Sequence, residues 1–148
     1  MEKIASFTID HTILPKGMYL SRTDKNTITY DIRCRKPNIE EVMNNGAIHT
    51  LEHLFATFVR NSKFSDEIIY FGPMGCQTGF YLLTRDILPE KVLEIVKKCL
   101  KMTVEHDGEM FGAKRKECGN YKNLSLDAAK VECARYLTAL ESKENDFK

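Results

Sequence analysis

The segment from Ala47 to Arg60 constrains the fold most, because its apolar residues recur at the spacing of an amphipathic helix. Ile48, Leu51 and Phe55 follow one another at intervals of three and four residues, and this places them on one helical face. The pattern predicts a helix whose apolar face packs against a core. Either of the asparagines at positions 44 and 45 suits the helix N-cap.

Alternating hydrophobicity and capping residues predict the other elements. Strands are expected over residues 4–10, 27–35, 67–71 and 78–84, and further helices after Pro89 and Ser125, with a polar loop over about 106–123 between them. Residues 143–148 are expected to form a frayed tail. These elements predict an α+β fold, a small and mostly antiparallel sheet packed against helices, in a single domain over residues 1–148.

The strand predicted over residues 27–35 has two distinct faces, because successive side chains of a strand point to opposite sides. Arg33 and Arg35 share one face, which is expected to lie over solvent or over a polar site. The other face is expected to be buried, and it consists of Ile28, Tyr30, Ile32 and Cys34.

The charge balance argues against several classes of partner. The chain has 22 basic and 21 acidic side chains and a formal net charge of +1, which gives no strong field for nucleic acid or an anionic membrane. No apolar run approaches the length of a membrane span. The first residues lack the apolar stretch of a secretory signal, so the reducing cytoplasm is the expected location.

The five cysteines are odd in number, widely spaced and without a Cys-x-x-Cys pair. This pattern argues against a disulfide framework and favours free thiols or metal ligands. Cys34, Cys99 and Cys133 fall on predicted apolar faces and are expected to be buried.

The predicted helix carries the motif His-x-x-Glu-His, formed by His49, Glu52 and His53. Residues four apart lie on the same helical face, so the two imidazoles can bind one metal ion while Glu52 transfers protons nearby. Paired histidines on a helix are also common as plain surface residues. The apolar neighbours indicate that this helix is partly buried, and buried imidazoles need a partner that a metal can supply.

A third ligand must come from elsewhere in the chain. Cys118, in the polar loop, is a candidate because thiolates bind zinc and ferrous iron strongly, although its spacing fits a free loop thiol equally well. Two histidines and one cysteine would leave one tetrahedral position open, as in catalytic sites. Cys76 lies between glycines that allow a ligand to approach the backbone, or it is a small buried apolar residue.

Several segments together resemble the LuxS family of S-ribosylhomocysteine lyases over about residues 4–140. The specific segment is Pro73-Met-Gly-Cys-Gln-Thr-Gly-Phe80, while the His-x-x-Glu-His helix is shared with peptidases. The other matching segments are Ser6-Phe7 with Asp10-His11, Asp31-Ile-Arg33 with Pro37-Asn38, and Cys118-Gly119.

The resemblance implies roles for individual residues. His49, His53 and Cys118 would bind one divalent metal per subunit, with Fe²⁺ expected and Zn²⁺ or Co²⁺ able to substitute. Glu52 and Cys76 would be the catalytic acid–base pair. The substrate would be bound by Arg33 and Arg60 of one chain and by Ser6 and His11 of the partner, in a homodimer with active sites at the interface.

The resemblance also implies the reaction. Two carbonyl shifts and a β-elimination would convert S-ribosylhomocysteine to homocysteine, which feeds the methionine cycle, and to 4,5-dihydroxy-2,3-pentanedione, the precursor of the quorum-sensing signal autoinducer-2. The chain departs from the family at two positions. Tyr70 and Gly72 stand where the family often has an acidic residue and a serine, so recognition of the substrate amino group is expected to differ.

Two other functions fit the motif alone. A His-x-x-Glu-His metallopeptidase would share the helix but would use a glutamate as third ligand. A non-catalytic metal-stabilised binding domain would need a fourth protein ligand, for which His11, His106 and Cys76 are the candidates.

Overall fold

The computed structural model describes residues 1–142, and its secondary structure confirms the predicted α+β class. The four strands form one antiparallel sheet in the order β1-β2-β4-β3, and they are β1 (Gly17–Asp24), β2 (Thr27–Arg33), β3 (Ile68–Pro73) and β4 (Gly79–Arg85). The helices are α1 (Asn45–Arg60), α2 (Pro89–Glu105) and α3 (Leu126–Glu141). The frayed tail predicted for residues 143–148 lies outside the described residues.

The core lies between one face of the sheet and the three helices. Phe55 of α1 packs on Phe71 of β3 with ring centroids 4.3 Å apart, and Phe71 stacks on Phe80 of β4 at 5.0 Å. The predicted buried face of β2 is confirmed at Tyr30 and Ile32, while Ile28 is half-buried. The three cysteines expected in the core are there: Cys34, Cys99 and Cys133 are each at most 3% exposed.

Capping residues set the helix boundaries. The side chain of Asn44 accepts hydrogen bonds from the backbone amides of Gly46 and Ala47, so α1 begins at Asn45, two residues before the predicted start. The predicted cap of α3 is confirmed, because the Ser125 hydroxyl accepts from the amide of Ala128 at 3.4 Å.

The prediction of a strand over residues 4–10 is wrong. Residues Ala5–Phe7 form a short 3-10 turn, and the hydroxyl of Thr8 donates to the carbonyl of Ala5 at 2.7 Å. The carboxylate of Asp10 then accepts from both the amide and the hydroxyl of Thr12. Such local side-chain bonds to the backbone compete with strand pairing.

The first strand of the sheet, β1, was not predicted. A register shift between Leu20 and Arg22 interrupts its alternation, and this weakens the period-two signal.

The two arginines expected on one face of β2 have different surroundings. Arg33 lies over a polar cluster on the sheet, which is one of the two surroundings, solvent or a polar site, that were expected. Arg35 lies two residues beyond the end of the strand, and its guanidinium is 2.5 Å from Glu132 of α3. Both side chains are buried, so neither faces solvent. Within residues 1–142, no helix is both long and apolar enough to cross a lipid bilayer.

Candidate active site

The helix α1 brings its two histidines to the cysteine of the distant loop. The candidate ligand atoms of His49, His53 and Cys118 all lie within 4.8 Å of one another, and each residue is half-buried. Two nitrogens and one sulfur are a donor set that suits zinc or ferrous iron, and three protein ligands leave a coordination position open. The residues present therefore fit a catalytic divalent metal. Among residues 1–142, no fourth His, Cys, Asp or Glu belongs to this group.

The second nitrogen of each imidazole also has a partner. Nδ1 of His53 lies 2.8 Å from the carbonyl oxygen of Phe111, and Nδ1 of His49 lies 3.0 Å from Oδ1 of Asn123. A backbone carbonyl only accepts, so His53 carries its proton on Nδ1 and leaves the lone pair of Nε2 for a metal. This is the arrangement that usually fixes metal-binding histidines in the correct tautomer.

The chain on either side of Cys118 contacts α1 close to the two histidines. The hydroxyl of Thr50 accepts a hydrogen bond from the amide of Ser125 at 2.6 Å. Gly112 has a φ of +65°, and a Cβ at this position would lie 3.1 Å from Nδ1 of His53. Glycine therefore serves both the left-handed backbone and the close approach of the ring. The backbone amide of Asn120 donates to Sγ of Cys118 at 3.4 Å, which orients the sulfur.

Cys76 occupies the tight turn between β3 and β4. The amide of Met74 donates to the carbonyl of Gly79, and Gln77 adopts a φ of +61°. The carbonyl of Thr78 accepts from the amides of Cys34 and Arg35, which fixes the turn to the end of β2. Cys76 itself is exposed, so its interpretation as a buried apolar residue is wrong.

A buried polar network connects this turn with β2. The guanidinium of Arg33 donates to both carboxylate oxygens of Asp31, at 3.0 and 2.6 Å, and to the hydroxyl of Thr78 at 2.8 Å. Sγ of Cys76 lies 3.0 Å from that hydroxyl and 4.0 Å from the guanidinium. The network places a fixed positive charge beside an accessible thiol.

Burial and pairing act in opposite directions on the charges of this network. Burial raises the pKa of Asp31, and the hydrogen bonds and charge of Arg33 only partly offset this effect. Burial also disfavours the charged guanidinium of Arg33, but the bonds and charge of Asp31 outweigh it and raise the pKa of Arg33. The pair is therefore held by its bidentate geometry, and Arg33 stays cationic.

Comparison with known proteins agrees with this geometry. The profile of the family described as LuxS, S-ribosylhomocysteinase, matches residues 4–147. This chain belongs to the LuxS family. An S-ribosylhomocysteine lyase of Borreliella burgdorferi is 47% identical, with 100% of this chain and 99% of the relative covered. The S-ribosylhomocysteine lyases of Clostridium beijerinckii and Phocaeicola vulgatus are each 46% identical, with 93% of this chain and 90% and 89% of the relatives covered.

LuxS membership decides between the functions that the motif alone left open. The family is metal-dependent, and the cluster of two histidines and one cysteine supplies a suitable site. A peptidase of the His-x-x-Glu-His type would instead need a glutamate as third ligand. The three candidates for a fourth ligand that would close the site, His11, His106 and Cys76, do not belong to this group in the described part of the chain.

The other LuxS-like positions lie on α1 and among the first residues of the chain. Glu52 lies on α1 between the two histidines and is half-buried. Arg60 ends the same helix, and its guanidinium donates to the carbonyl of Ile69 at 2.6 Å. Ser6 is half-buried in the first 3-10 turn. His11 is also half-buried, and its Nδ1 lies 2.9 Å from the carbonyl oxygen of Ile9.

A cavity of about 450 Å³ lies apart from this LuxS site, between the end of α1 and α2. Its walls include Phe58, Phe64 and Ile95, with Lys98 at the edge, and they contain none of the predicted site residues. This cavity therefore does not mark the predicted site. The arrangement of nitrogen, sulfur and carboxylate groups on α1 and on the turn is the better guide.

Sequence reasoning missed three groups that hold the LuxS site in place: the carbonyl of Phe111, Asn123 and Thr78. Every residue has a backbone carbonyl, so no sequence feature indicated that Phe111 would contact His53. Asn123 lies in a 3-10 turn without hydrophobic period. Thr78 did have a signal, because it is two residues from Cys76 and so could be expected to hydrogen-bond near it.

Proposed function

We propose that this chain is an S-ribosylhomocysteine lyase, a carbon–sulfur lyase that forms homocysteine and 4,5-dihydroxy-2,3-pentanedione. The observation that carries the proposal is the convergence of His49, His53 and Cys118 within 4.8 Å, in a chain of the LuxS family. The metal that these residues would hold supplies Lewis acidity, which polarises the oxygens of the ribosyl group. The chain's own residues must then move protons and bind the two ends of the substrate.

Cys76 and Glu52 are proposed to carry the protons. The open-chain ribosyl group is an aldehyde, and each carbonyl shift removes a proton from one carbon and returns it to the neighbouring carbon. The thiol of Cys76 is exposed, and the guanidinium of Arg33 lies 4.0 Å from its sulfur. Glu52 lies on the same helix, at the edge of the face that the two histidines share, and would serve the opposite transfer.

The last step is a β-elimination that conserves atoms and charge. Once the carbonyl has reached C3, the proton on C4 is acidic and is removed by one of these two groups. The C5–S bond breaks, its electron pair leaves with sulfur, and homocysteine departs as a thiolate that takes up a proton. Arg33 and Arg60 are proposed to bind the substrate, since guanidinium groups suit its hydroxyl and carboxylate oxygens.

The substrate site is proposed to be shared between two chains of a homodimer. The first residues of the chain support this, because Ile4, Phe7 and Ile13 are 59%, 69% and 76% exposed. These three large apolar side chains, exposed within ten residues of one another, would be covered by a second chain in such a dimer. In this arrangement Ser6 and His11 reach into the site of the partner chain.

The cellular setting is proposed from the same family. The metal would be ferrous iron in the cell, with zinc or cobalt able to replace it, because two imidazoles and a thiolate bind all three. The enzyme would act in the cytoplasm as one domain over residues 1–148. Its products would serve homocysteine recycling in the methionine cycle and synthesis of a quorum-sensing autoinducer.

The test is thiol release from S-ribosylhomocysteine by anaerobically purified, metal-loaded protein. We expect homocysteine and the dione to form in equal amounts. The variants Glu52→Gln and Cys76→Ala should retain the metal and lose at least ~10²–10⁴-fold in rate, because each lacks a proton carrier. Near-normal turnover by Cys76→Ala would contradict the assigned mechanism, and hydrolysis of peptides without thiol release would contradict the function.

Subunit mixing tests the shared site. In a mixed dimer of Glu52→Gln and His11→Ala chains, one site carries both defects and the other carries neither. After random exchange, about a quarter of the wild-type activity should return. The companion experiment mixes Glu52→Gln with Cys76→Ala, whose defects belong to one chain, and no activity should return there. Failure of the first mixture to recover, after verified exchange, would contradict the shared site and leave the lyase activity standing.

A further inference from the structure

We propose that Asn123 is a positioning residue of the metal site, which fixes the tautomer and the ring orientation of His49. Oδ1 of Asn123 lies 3.0 Å from Nδ1 of His49. A carbonyl oxygen only accepts, so the nitrogen beside it must carry the proton. The lone pair then remains on Nε2, and this nitrogen faces Sγ of Cys118 at 3.2 Å.

The two histidines differ in how they are held. The backbone carbonyl of Phe111 orients His53, and no substitution removes a backbone carbonyl. His49 depends instead on a side chain that has both a donor and an acceptor end. If the amide of Asn123 presented its NH₂ group, Nδ1 would become the acceptor and Nε2 would carry the proton toward Cys118. Asn123 therefore decides whether His49 can bind a metal through Nε2.

The surroundings of Asn123 fix its position. A Cβ at Gly46 would lie 2.8 Å from the backbone carbonyl oxygen of Asn123, so glycine permits this close approach to the first turn of α1. The amide of Asn123 donates to the carbonyl of Asn120 at 3.1 Å. Two residues later, the amide of Ser125 donates to the hydroxyl of Thr50. The turn is thus attached to the same helix that carries His49.

The measurement is the zinc affinity of the full-length protein by competition with a chromogenic chelator. Asn123→Ala and Asn123→Leu lack the acceptor and should bind zinc about 10–100-fold more weakly. Asn123→Asp retains an acceptor oxygen and should bind zinc at least as tightly as the wild type. The matched control is Lys122→Ala in the same 3-10 turn, because this side chain is exposed, and the zinc affinity of that variant should be unchanged.

A second readout separates positioning from loss of local structure. In the zinc-loaded protein, nitrogen-15 NMR should show a slowly exchanging Nδ1 proton on His49. This signal should disappear in Asn123→Ala, while the thiolate-to-metal absorption of the cobalt form should persist, because Cys118 remains a ligand. Gly46→Ala should reproduce the loss of affinity, since its methyl group displaces the turn, and should add little to Asn123→Ala.

Three results would overturn the inference. They are wild-type zinc affinity in both Asn123→Ala and Asn123→Leu, an affinity of Asn123→Asp as low as that of Asn123→Ala, and a His49 that carries its proton on Nε2 in the zinc-loaded wild type. None of these measurements uses the substrate. The inference can therefore fail while the lyase function stands, and the reverse also holds.

Discussion

Sγ of Cys118 lies 3.2 Å from Nε2 of His49, although 69 positions separate the two residues in the sequence. A metal bound by both residues would link the loop before α3 to α1. Because the metal binds the folded arrangement and not the separated ligands, it should stabilise the folded chain as well as act in catalysis.

Cys118→Ala should therefore lower both metal content and thermal stability. A bound metal contributes about 2.7 kcal/mol when its free concentration is 100 times the dissociation constant. Chelation should lower the unfolding temperature of the wild type and leave that of Cys118→Ala almost unchanged. Cys76→Ala is the control, since its sulfur is outside the ligand group. Full metal occupancy in Cys118→Ala, measured by elemental analysis, would contradict the ligand assignment.

The hydroxyl of Thr78 should matter for turnover as well as for folding. It lies 2.8 Å from the guanidinium of Arg33 and 3.0 Å from Sγ of Cys76, so it holds the thiol and the cation together. Thr78→Val retains the shape and leaves one donor of Arg33 without its acceptor. We expect kcat to fall by at least tenfold, with a loss of about 1–3 kcal/mol in the free energy of unfolding.

A matched variant distinguishes the network from general destabilisation. Thr103 is also buried, and its hydroxyl donates to the carbonyl of Cys99 within α2, away from the proposed site. Thr103→Val should change the free energy of unfolding and leave kcat as in the wild type. Equal loss of kcat in both variants would show that the Thr78 network has no particular role.

The accuracy of sequence prediction followed the range of the interactions. The caps at Asn44 and Ser125 and the helix period around Leu51 are local, and the structure confirms them. The strand expected over residues 4–10 failed because Thr8 and Asp10 have local bonds that compete with pairing. The alternating residues alone gave no information about whether a partner strand was within reach.

For the site, the ligand types could be predicted and their supports could not. His49 and His53 follow from helical spacing, but pairing them with Cys118 depended on resemblance, because no local rule spans 69 residues. The partner of Arg33 was two residues away on the same strand face, at Asp31, and its bidentate bond follows from that spacing once the strand is known. The contact of Asn123 with α1 depends on the tertiary fold.

Alkylation should distinguish the five cysteines by burial. Burial raises the pKa of Cys99 to about 11 and that of Cys133 to about 12, and it raises the pKa of Cys34 further. A raised pKa keeps a thiol protonated, and the thiol form is the unreactive one, so these three should resist iodoacetamide at pH 8. Cys76 is exposed and should react first.

Metal removal should add one reactive thiol to this pattern. In the metal-loaded protein, mass spectrometry should find Cys76 modified and Cys118 protected. A chelator should release Cys118 to the reagent, while the three buried thiols should react only after unfolding. Modification of Cys118 at the same rate with and without chelator would contradict its role as a ligand.

Tyr70 and Gly72 form a single structural unit. They share one face of β3, and a Cβ at Gly72 would overlap the phenol of Tyr70, which is 49% exposed. Position 72 therefore has no room for a side chain while Tyr70 keeps this orientation. At the two positions noted as departures from the family pattern, the phenol of Tyr70 therefore occupies the space that a side chain at position 72 would need.

A double-mutant cycle tests this relationship. Gly72→Ala should lower the free energy of unfolding by about 1–2 kcal/mol when Tyr70 is present, because the phenol must move away. In the Tyr70→Ala background the same change should be neutral or stabilising, since alanine suits a strand interior better than glycine. The coupling free energy between the two sites should therefore be at least about 0.5 kcal/mol, measured by urea unfolding at constant metal loading.

Gly75→Ala provides the control for this cycle, because no heavy atom lies within 4 Å of a Cβ built there. Its effect on unfolding should be the same with and without the Tyr70 side chain. If Gly72→Ala lowers the free energy of unfolding equally in both backgrounds, the orientation of the phenol does not require glycine at position 72. If the coupling is found, a substitution at position 72 alone should also move the Tyr70 hydroxyl. A change in KM caused by that substitution can then come from either residue. Comparison with the KM of Tyr70→Phe shows which residue is responsible.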